Sequence, residues 1–211
     1  MSILEIKSLK YAYGKGKMVL KGINTSLDAG KMYAIVGPSG CGKTTLLSLL
    51  GGLDSPSGGE ILFNGENIEK TKLATHRKNN VSFIFQSYNL IDYLTPQENV
   101  ALTSKLSPQP ILERVGITKE EMKRSVLKLS GGQQQRVAIA RALASEAPII
   151  LADEPTGNLD EDTASEITKI LEECAYAAHK CVVIVTHSNE LAKQADVILR
   201  LKKGELLTES R

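Results

Sequence analysis

The chain has 211 residues, 42% of them apolar and 24% charged, and a formal net charge of +2. That balance suits a water-soluble domain with a substantial core and lacks the basic excess of a nucleic-acid binder. No apolar run approaches the roughly 18–20 residues that a membrane span needs. Met1-Ser2-Ile3-Leu4-Glu5-Ile6 alternates apolar and polar and carries an acid, so it reads as a strand rather than a signal peptide. Residues 1 to about 35 continue the alternation, with turn signals at Tyr13-Gly14 and Asp28-Ala29-Gly30, and predict antiparallel strands. The three cysteines, Cys41, Cys174 and Cys181, fit no metal spacing, and their odd count argues against a disulfide framework. A reducing cytosol is the expected compartment.

Met32-Tyr33-Ala34-Ile35-Val36 predicts a buried strand, and Thr45-Leu46-Leu47-Ser48-Leu49-Leu50 predicts a helix. Between them Gly37-Pro38-Ser39-Gly40-Cys41-Gly42-Lys43-Thr44 fits G-x-x-x-x-G-K-[ST] at every position. Strand, loop and helix in that order are the context the pattern requires. The glycines let the backbone wrap phosphate oxygens with N–H groups. Lys43 adds a point charge at the β- and γ-phosphates, and Thr44 offers a hydroxyl to Mg²⁺. Lys43 is expected to point into a solvated phosphate site. The candidate ATP-binding residues run from Gly37 to Thr45, and alkylation of Cys41 among them should obstruct nucleotide.

Further along, Glu60-Ile61-Leu62-Phe63-Asn64-Gly65-Glu66 predicts a strand and a hairpin-like turn. Residues from about 88 to 130 predict a mostly helical region broken at Pro96, Pro108 and Pro110, with a helix over Leu112-Glu113-Arg114-Val115-Gly116-Ile117. Leu129-Ser130-Gly131-Gly132-Gln133 opens another helix that runs on to Leu143. Ser130 is a good N-cap, and Gly131 and Gly132 allow close approach to an anion. Backbone N–H groups and the positive end of the helix dipole then face outward. Pro148-Ile149-Ile150-Leu151-Ala152-Asp153-Glu154 is a hydrophobic strand ending in two carboxylates. Cys181-Val182-Val183-Ile184-Val185-Thr186 leads to His187, a strand-end histidine of a kind that is, taken alone, more often structural. These strands predict an α/β core with buried parallel strands. The segment from Val197 to Glu205 predicts a closing strand and turn.

Together these motifs resemble the ATP-binding cassette (ABC) ATPases over nearly the whole chain. The resemblance implies an α/β fold: an ABC-type P-loop NTPase with a RecA-like core, an antiparallel β subdomain and a shortened helical subdomain. It implies one domain over residues 1–211, with the helical subdomain at about 88–130 inserted in the core. ATP and Mg²⁺ are the implied substrate and metal. Asp153 matches the Walker B aspartate, which with Thr44 and Gln86 holds the metal, and Glu154 matches the general base that polarises the attacking water. Gln86, after Val81-Ser82-Phe83-Ile84-Phe85, matches the Q-loop glutamine that senses the γ-phosphate. His187 matches the switch histidine. Ser130, Gly131, Gly132 and Gln133 match the signature loop, which meets the γ-phosphate held by a second subunit. The working enzyme is then an ATP-dependent head-to-tail pair, a homodimer by default. Asn158-Leu159-Asp160 matches the D-loop that crosses to that partner. Tyr13 matches the aromatic that stacks on adenine, with Tyr11 two residues earlier as the alternative.

Within the family the chain most resembles the bacterial group of macrolide-exporter, lipoprotein-release and FtsE-type cell-division ATPases. Gly51-Gly52-Leu53-Asp54, Phe85-Gln86-Ser87-Tyr88-Asn89-Leu90, Thr95-Pro96-Gln97-Glu98-Asn99-Val100 and the run from Asp153 to Asp160 carry that likeness. It implies an integral membrane subunit as partner, a place on the cytoplasmic face of the cell membrane, and export or mechanotransmission as the work done. One departure stands out: only Val100 to Ile111 separates Asn99 from the next predicted helix, where the group carries a longer helical stretch. That stretch shapes the groove for the membrane subunit. The alternative function is a soluble ABC ATPase acting on DNA or ribosomes. No long coiled coil and no second cassette supports it, and no nucleic acid is expected as partner.

Overall fold

The computed structural model describes residues 2–14 and 16–209. Strands β1 (Ser2–Ala12) and β2 (Met18–Asp28) pair antiparallel, as their alternation predicts. The next strand, β3 (Met32–Val36), leaves them and joins a second sheet, so the antiparallel reading of residues 1–35 stops at Asp28. Every residue of β3 but Val36 is buried, and a strand buried on both faces belongs inside a parallel sheet. Helix α1 (Lys43–Leu50) follows the Gly-rich loop. Strands β4 (Gly58–Phe63) and β5 (Glu66–Asn67) complete the antiparallel sheet in the order β2-β1-β4-β5. Their turn places Asn64 and Gly65 at φ 49° and 83°, the left-handed pair that a tight hairpin demands.

Helix α2 (Leu73–Asn79) leads to β6 (Val81–Ile84). With β7 (Ile149–Asp153), β8 (Cys181–Val185), β9 (Val197–Lys202) and β10 (Glu205–Glu209), the second sheet runs β10-β9-β3-β8-β7-β6. All its pairings are parallel except the β9–β10 hairpin at one edge. Side chains alternate between two cores. Tyr33, Ile35, Ile149, Leu151, Cys181 and Val183 face α1 and the antiparallel sheet. Met32, Ala34, Ile150, Ala152, Val182 and Ile184 face the helices of the opposite layer. That opposite layer holds α5 (Gly131–Leu143), α6 (Glu161–Tyr176) and α7 (Asn189–Gln194). The cysteines are free thiols, and burial pushes the Cys181 thiol up to about 12.

The stretch from 88 to 130 holds less helix than predicted. It contains α3 (Pro96–Ala101), α4 (Gln109–Arg114) and two short 3₁₀ turns at Glu121–Lys123 and Val126–Lys128. The prolines begin helices instead of breaking them. Pro96 occupies the first turn of α3 behind a capping box in which Thr95 Oγ1 accepts from the Glu98 N–H at 3.3 Å and Glu98 Oε2 accepts from the Thr95 N–H at 2.8 Å. Pro108 caps α4 and Pro110 sits in its first turn, where no N–H is required. The helix predicted over 112–117 therefore starts earlier and stops at Arg114, with Gly116 beyond it at φ 74°. Buried Asn99 bonds Ile91 and Thr95 and ties α3 to the chain arriving from β6.

Candidate functional site

Parallel β3, β8, β7 and β6 end side by side, with Ile35 beside Val185, Val185 beside Asp153 and Ala152 beside Ile84. Open α/β sheets bind ligands at this carboxyl edge. The loops leaving it line a cleft of about 520 Å³ whose walls include Ser39, Lys43, Thr44, Gln86, Asp153, Glu154 and His187. Residues predicted from points 150 positions apart thus meet at one place. A neighbouring cleft of about 270 Å³ is lined by Tyr13, Gly40, Gly42, Lys43, Thr44 and Thr45.

The loop from Gly37 to Gly42 is built tightly against its surroundings. A Cβ on Gly37 would lie 2.3 Å from the Leu201 carbonyl oxygen, and Gly42 sits at φ +105° against Val19. Both positions exclude a side chain. Lys43 differs from expectation. It is buried, not solvated, and its Nζ donates to the Gly37 and Pro38 carbonyls at 2.9 and 3.2 Å. The ammonium therefore holds the loop in shape as well as facing the cleft. Thr44 Oγ1 donates to Asp153 Oδ2 at 2.8 Å, bridging the start of α1 and the end of β7. A hydroxyl, a carboxylate and the Gln86 amide lining one cleft are hard oxygen donors. Such donors suit Mg²⁺, which takes one or two carboxylates and fills its remaining positions with phosphate and water.

Glu154 follows β7 at φ 48°, a left-handed conformation that costs a non-glycine residue about 1–3 kcal/mol. Its N–H still bonds Val185 O at 2.9 Å, so the strain turns the side chain without breaking the sheet. Glu154 Oε2 accepts from the His187 N–H at 3.3 Å. The His187 Nε2 stands 3.6 Å from Glu154 Oε1 and 3.4 Å from Lys43 Nζ. Glu154 Oε1 is buried and finds no hydrogen-bond donor among the described residues. A buried carboxylate oxygen is costly to leave unpaired, so this atom is poised to take a proton donor.

The two tyrosines separate clearly. Tyr11 is in the core, and the Asp54 carboxylate accepting its hydroxyl pushes its pKa up to about 12. Tyr13 is 62% exposed, lines the smaller cleft, and bonds Thr45 Oγ1 through its hydroxyl at 2.8 Å.

Ser130, Gly131, Gly132, Gln133 and Asp160 do not line the cleft with Lys43 and Glu154. Ser130 caps α5 in a box, its Oγ accepting from the Gln133 N–H at 3.3 Å while Gln133 Oε1 accepts from the Ser130 N–H at 2.8 Å. Asp160 caps α6, and the Thr163 N–H at 2.9 Å holds its carboxyl below the usual range.

Several residues that the motifs do not mark tie these loops together. Arg141, near the end of α5, donates to Tyr88 O at 3.1 Å and Asn89 O at 2.7 Å. Tyr88 and Asn89 lie at φ 62° and 48°, two strained residues just past Gln86, and the guanidinium clamps both carbonyls. The Tyr88 hydroxyl accepts from Asn158 Nδ2 at 3.2 Å. Gln135 Nε2 donates to Pro155 O at 2.9 Å, one residue past Glu154.

Comparison with known proteins identifies the family. The family model described as ABC transporter matches residues 20–157. The chain is 43% identical over 215 residues to the uncharacterized ABC transporter ATP-binding protein YclH of Bacillus subtilis, covering 97% of this chain and 95% of that protein. It is 42% identical to the macrolide export ATP-binding/permease protein MacB of Pasteurella multocida, covering 99% of this chain but only 34% of MacB. The dimeric structure of MJ0796, a bacterial ABC transporter cassette, superimposes with a TM-score of 0.91 at 35% identity, covering 98% of each chain. A post-hydrolysis dimer of the same cassette bound to ADP and Pi superimposes at 0.89, also at 35% identity and 98% coverage of each. The chain belongs to the ABC transporter family of ATP-binding cassettes.

Proposed function

We propose that this chain is the ATP-hydrolysing subunit of a membrane ABC transporter, an exporter or a mechanotransmission complex, working at the cytoplasmic face of the membrane as a single domain. One observation carries the catalytic part: a strained glutamate, beside the phosphate-binding lysine, with a buried carboxylate oxygen that no hydrogen-bond donor among the described residues reaches.

Lys43 and the backbone N–H groups from Gly37 to Thr44 bind the phosphates, and adenine stacks on Tyr13. Thr44, Asp153 and Gln86 would hold Mg²⁺, which when bound would supply charge neutralisation at the phosphates. Glu154 Oε1 accepts a proton from the attacking water, whose oxygen bonds to the γ-phosphorus as the bond to the ADP oxygen breaks. His187 steadies Glu154 through its backbone N–H. Two chains pair head to tail, so that Ser130, Gly131, Gly132 and Gln133 of one complete the site of the other and Asp160 lies at the junction.

That arrangement predicts complementation. Ser130→Arg and Lys43→Ala chains are each expected to be nearly inactive. An isolated heterodimer of the two has one site carrying both lesions and one carrying none, and it should regain hydrolysis. A wild-type monomer that hydrolyses ATP as fast as the dimer would remove the signature loop from that role.

The membrane subunit docks in a groove of about 740 Å³ bounded by Arg77, Phe83, Phe85, Leu102, Lys105 and Arg141. Leu102, 56% exposed, is on its wall, and Leu106, 82% exposed, follows the lining residue Lys105, so both offer apolar surface to a partner. The reading is tested by purifying the tagged chain from membranes and identifying the integral protein bound to it. Leu102→Asp is expected to lose that protein while keeping its basal ATPase rate. Recovery of ribosomes or DNA in its place would favour the soluble alternative.

A further inference from the structure

Tyr13 is the first residue beyond β1, and one short segment fastens the strand just before it. Asp54 Oδ2 accepts the Tyr11 hydroxyl, and Asp54 Oδ1 accepts the Ser55 N–H at 2.7 Å, which fixes the carboxylate. The Ser57 N–H donates to Lys10 O at 2.9 Å, and Ser57 Oγ accepts the Ala12 N–H at 3.1 Å. Lys10, Tyr11 and Ala12 are thus each bonded to residues 54–57. The Tyr11 ring, 6% exposed, meets the Tyr13 ring edge to face, with centroids 5.0 Å apart and planes at 90°.

An exposed aromatic ring at a strand end samples several rotamers, and that freedom is lost when a base stacks on it. A ring already fixed in its stacking plane loses less. Here the bond to Thr45 Oγ1 holds the Tyr13 hydroxyl and the edge contact to Tyr11 restrains the tilt of its plane, and Tyr11 in turn is anchored through Asp54. Asp54 follows the C-terminal end of α1, whose N-terminal end carries the phosphate-binding loop. One helix therefore sets the spacing between the phosphate site and the base platform.

We propose that Tyr11 and Asp54 are positioning residues for nucleobase recognition: Asp54 anchors Tyr11, and the edge of Tyr11 fixes the plane on which the base stacks. Neither residue touches nucleotide. The proposal rests on the reading of Tyr13 as the adenine platform.

Titration calorimetry of the full chain with ATP and with inorganic tripolyphosphate separates base from phosphate. Tyr13→Ala is expected to raise the Kd for ATP about tenfold, Tyr11→Leu about fivefold, and Tyr11→Phe and Asp54→Ala about threefold. The Kd for tripolyphosphate should stay within about twofold of wild type in all four. Asp54 is exposed and Tyr11→Phe keeps the buried ring, so these two variants should melt close to wild type. Unchanged ATP affinity in the Tyr11 and Asp54 variants, with Tyr13→Ala impaired, would overturn the proposal alone. Parallel loss of both ligands would also overturn it, because the segment would then support the phosphate loop. Unchanged ATP affinity in Tyr13→Ala would remove the platform itself, and the proposal with it.

Discussion

Glu154→Gln is expected to lower ATP turnover by at least about a hundredfold, the scale of a lost general base, with ATP affinity within about threefold of wild type. The amide is isosteric and keeps an oxygen for the His187 N–H, which bonds Oε2 at 3.3 Å. It cannot take a proton from water. ATP should then outlive the encounter of two chains, and the mutant should accumulate as an ATP-dependent dimer. Steady-state turnover and light scattering with and without ATP measure both effects. Turnover within a few-fold of wild type would remove Glu154 from the chemistry.

Lys43→Ala is expected to weaken ATP binding by about a hundredfold. A charge-assisted hydrogen bond contributes about 1.5–3 kcal/mol, and about 1.4 kcal/mol is a factor of ten. A second effect follows from the burial of the lysine. The variant leaves the Gly37 and Pro38 carbonyls without their ammonium donor. The loop should loosen, lowering the melting temperature by about 2–4 °C for each kcal/mol lost in a chain of this size. Calorimetry and a thermal melt in the absence of nucleotide separate the two. Wild-type ATP affinity would overturn the assignment of the loop.

The glycine-rich loop before α1, the strand ending at Asp153 and the capped helix α5 were legible as structure because glycine, cap and apolar-run patterns restrict the residue types at each position. The paired cores were legible because strands buried on both faces are uniformly apolar. Four things were not. The burial of Lys43 depends on carbonyls six and five residues back, whose direction no motif specifies. Tyr13 was preferred to Tyr11 for its place beside the loop, but their surroundings were hidden, since a period of two puts both on one face of an extended strand. The structure parts them by ending β1 at Ala12. The prolines between 96 and 110 read as breaks because proline both stops and starts helices, and only the Thr95–Glu98 box marks the second use. Arg141 was invisible for a further reason: its partners are backbone oxygens, and these leave no trace in sequence.

Helix α5 spans 13 residues, or about 20 Å. Near its start Gln135 grips the chain one residue past Glu154, and near its end Arg141 grips the two residues that follow the Gln86 loop. A rod clamped at two places ties those two segments together. A displacement of the segment after Gln86 would pass through the Arg141 bonds to α5 and to the amides at its tip. In a head-to-tail pair that tip belongs to the other chain's reaction. Under the proposed head-to-tail pairing, α5 would link each chain's Gln86 segment to its partner's nucleotide site. Arg141→Ala, which removes the clamp on Tyr88 and Asn89, is expected to lower the cooperativity of ATP hydrolysis in the dimer, read as a smaller Hill coefficient.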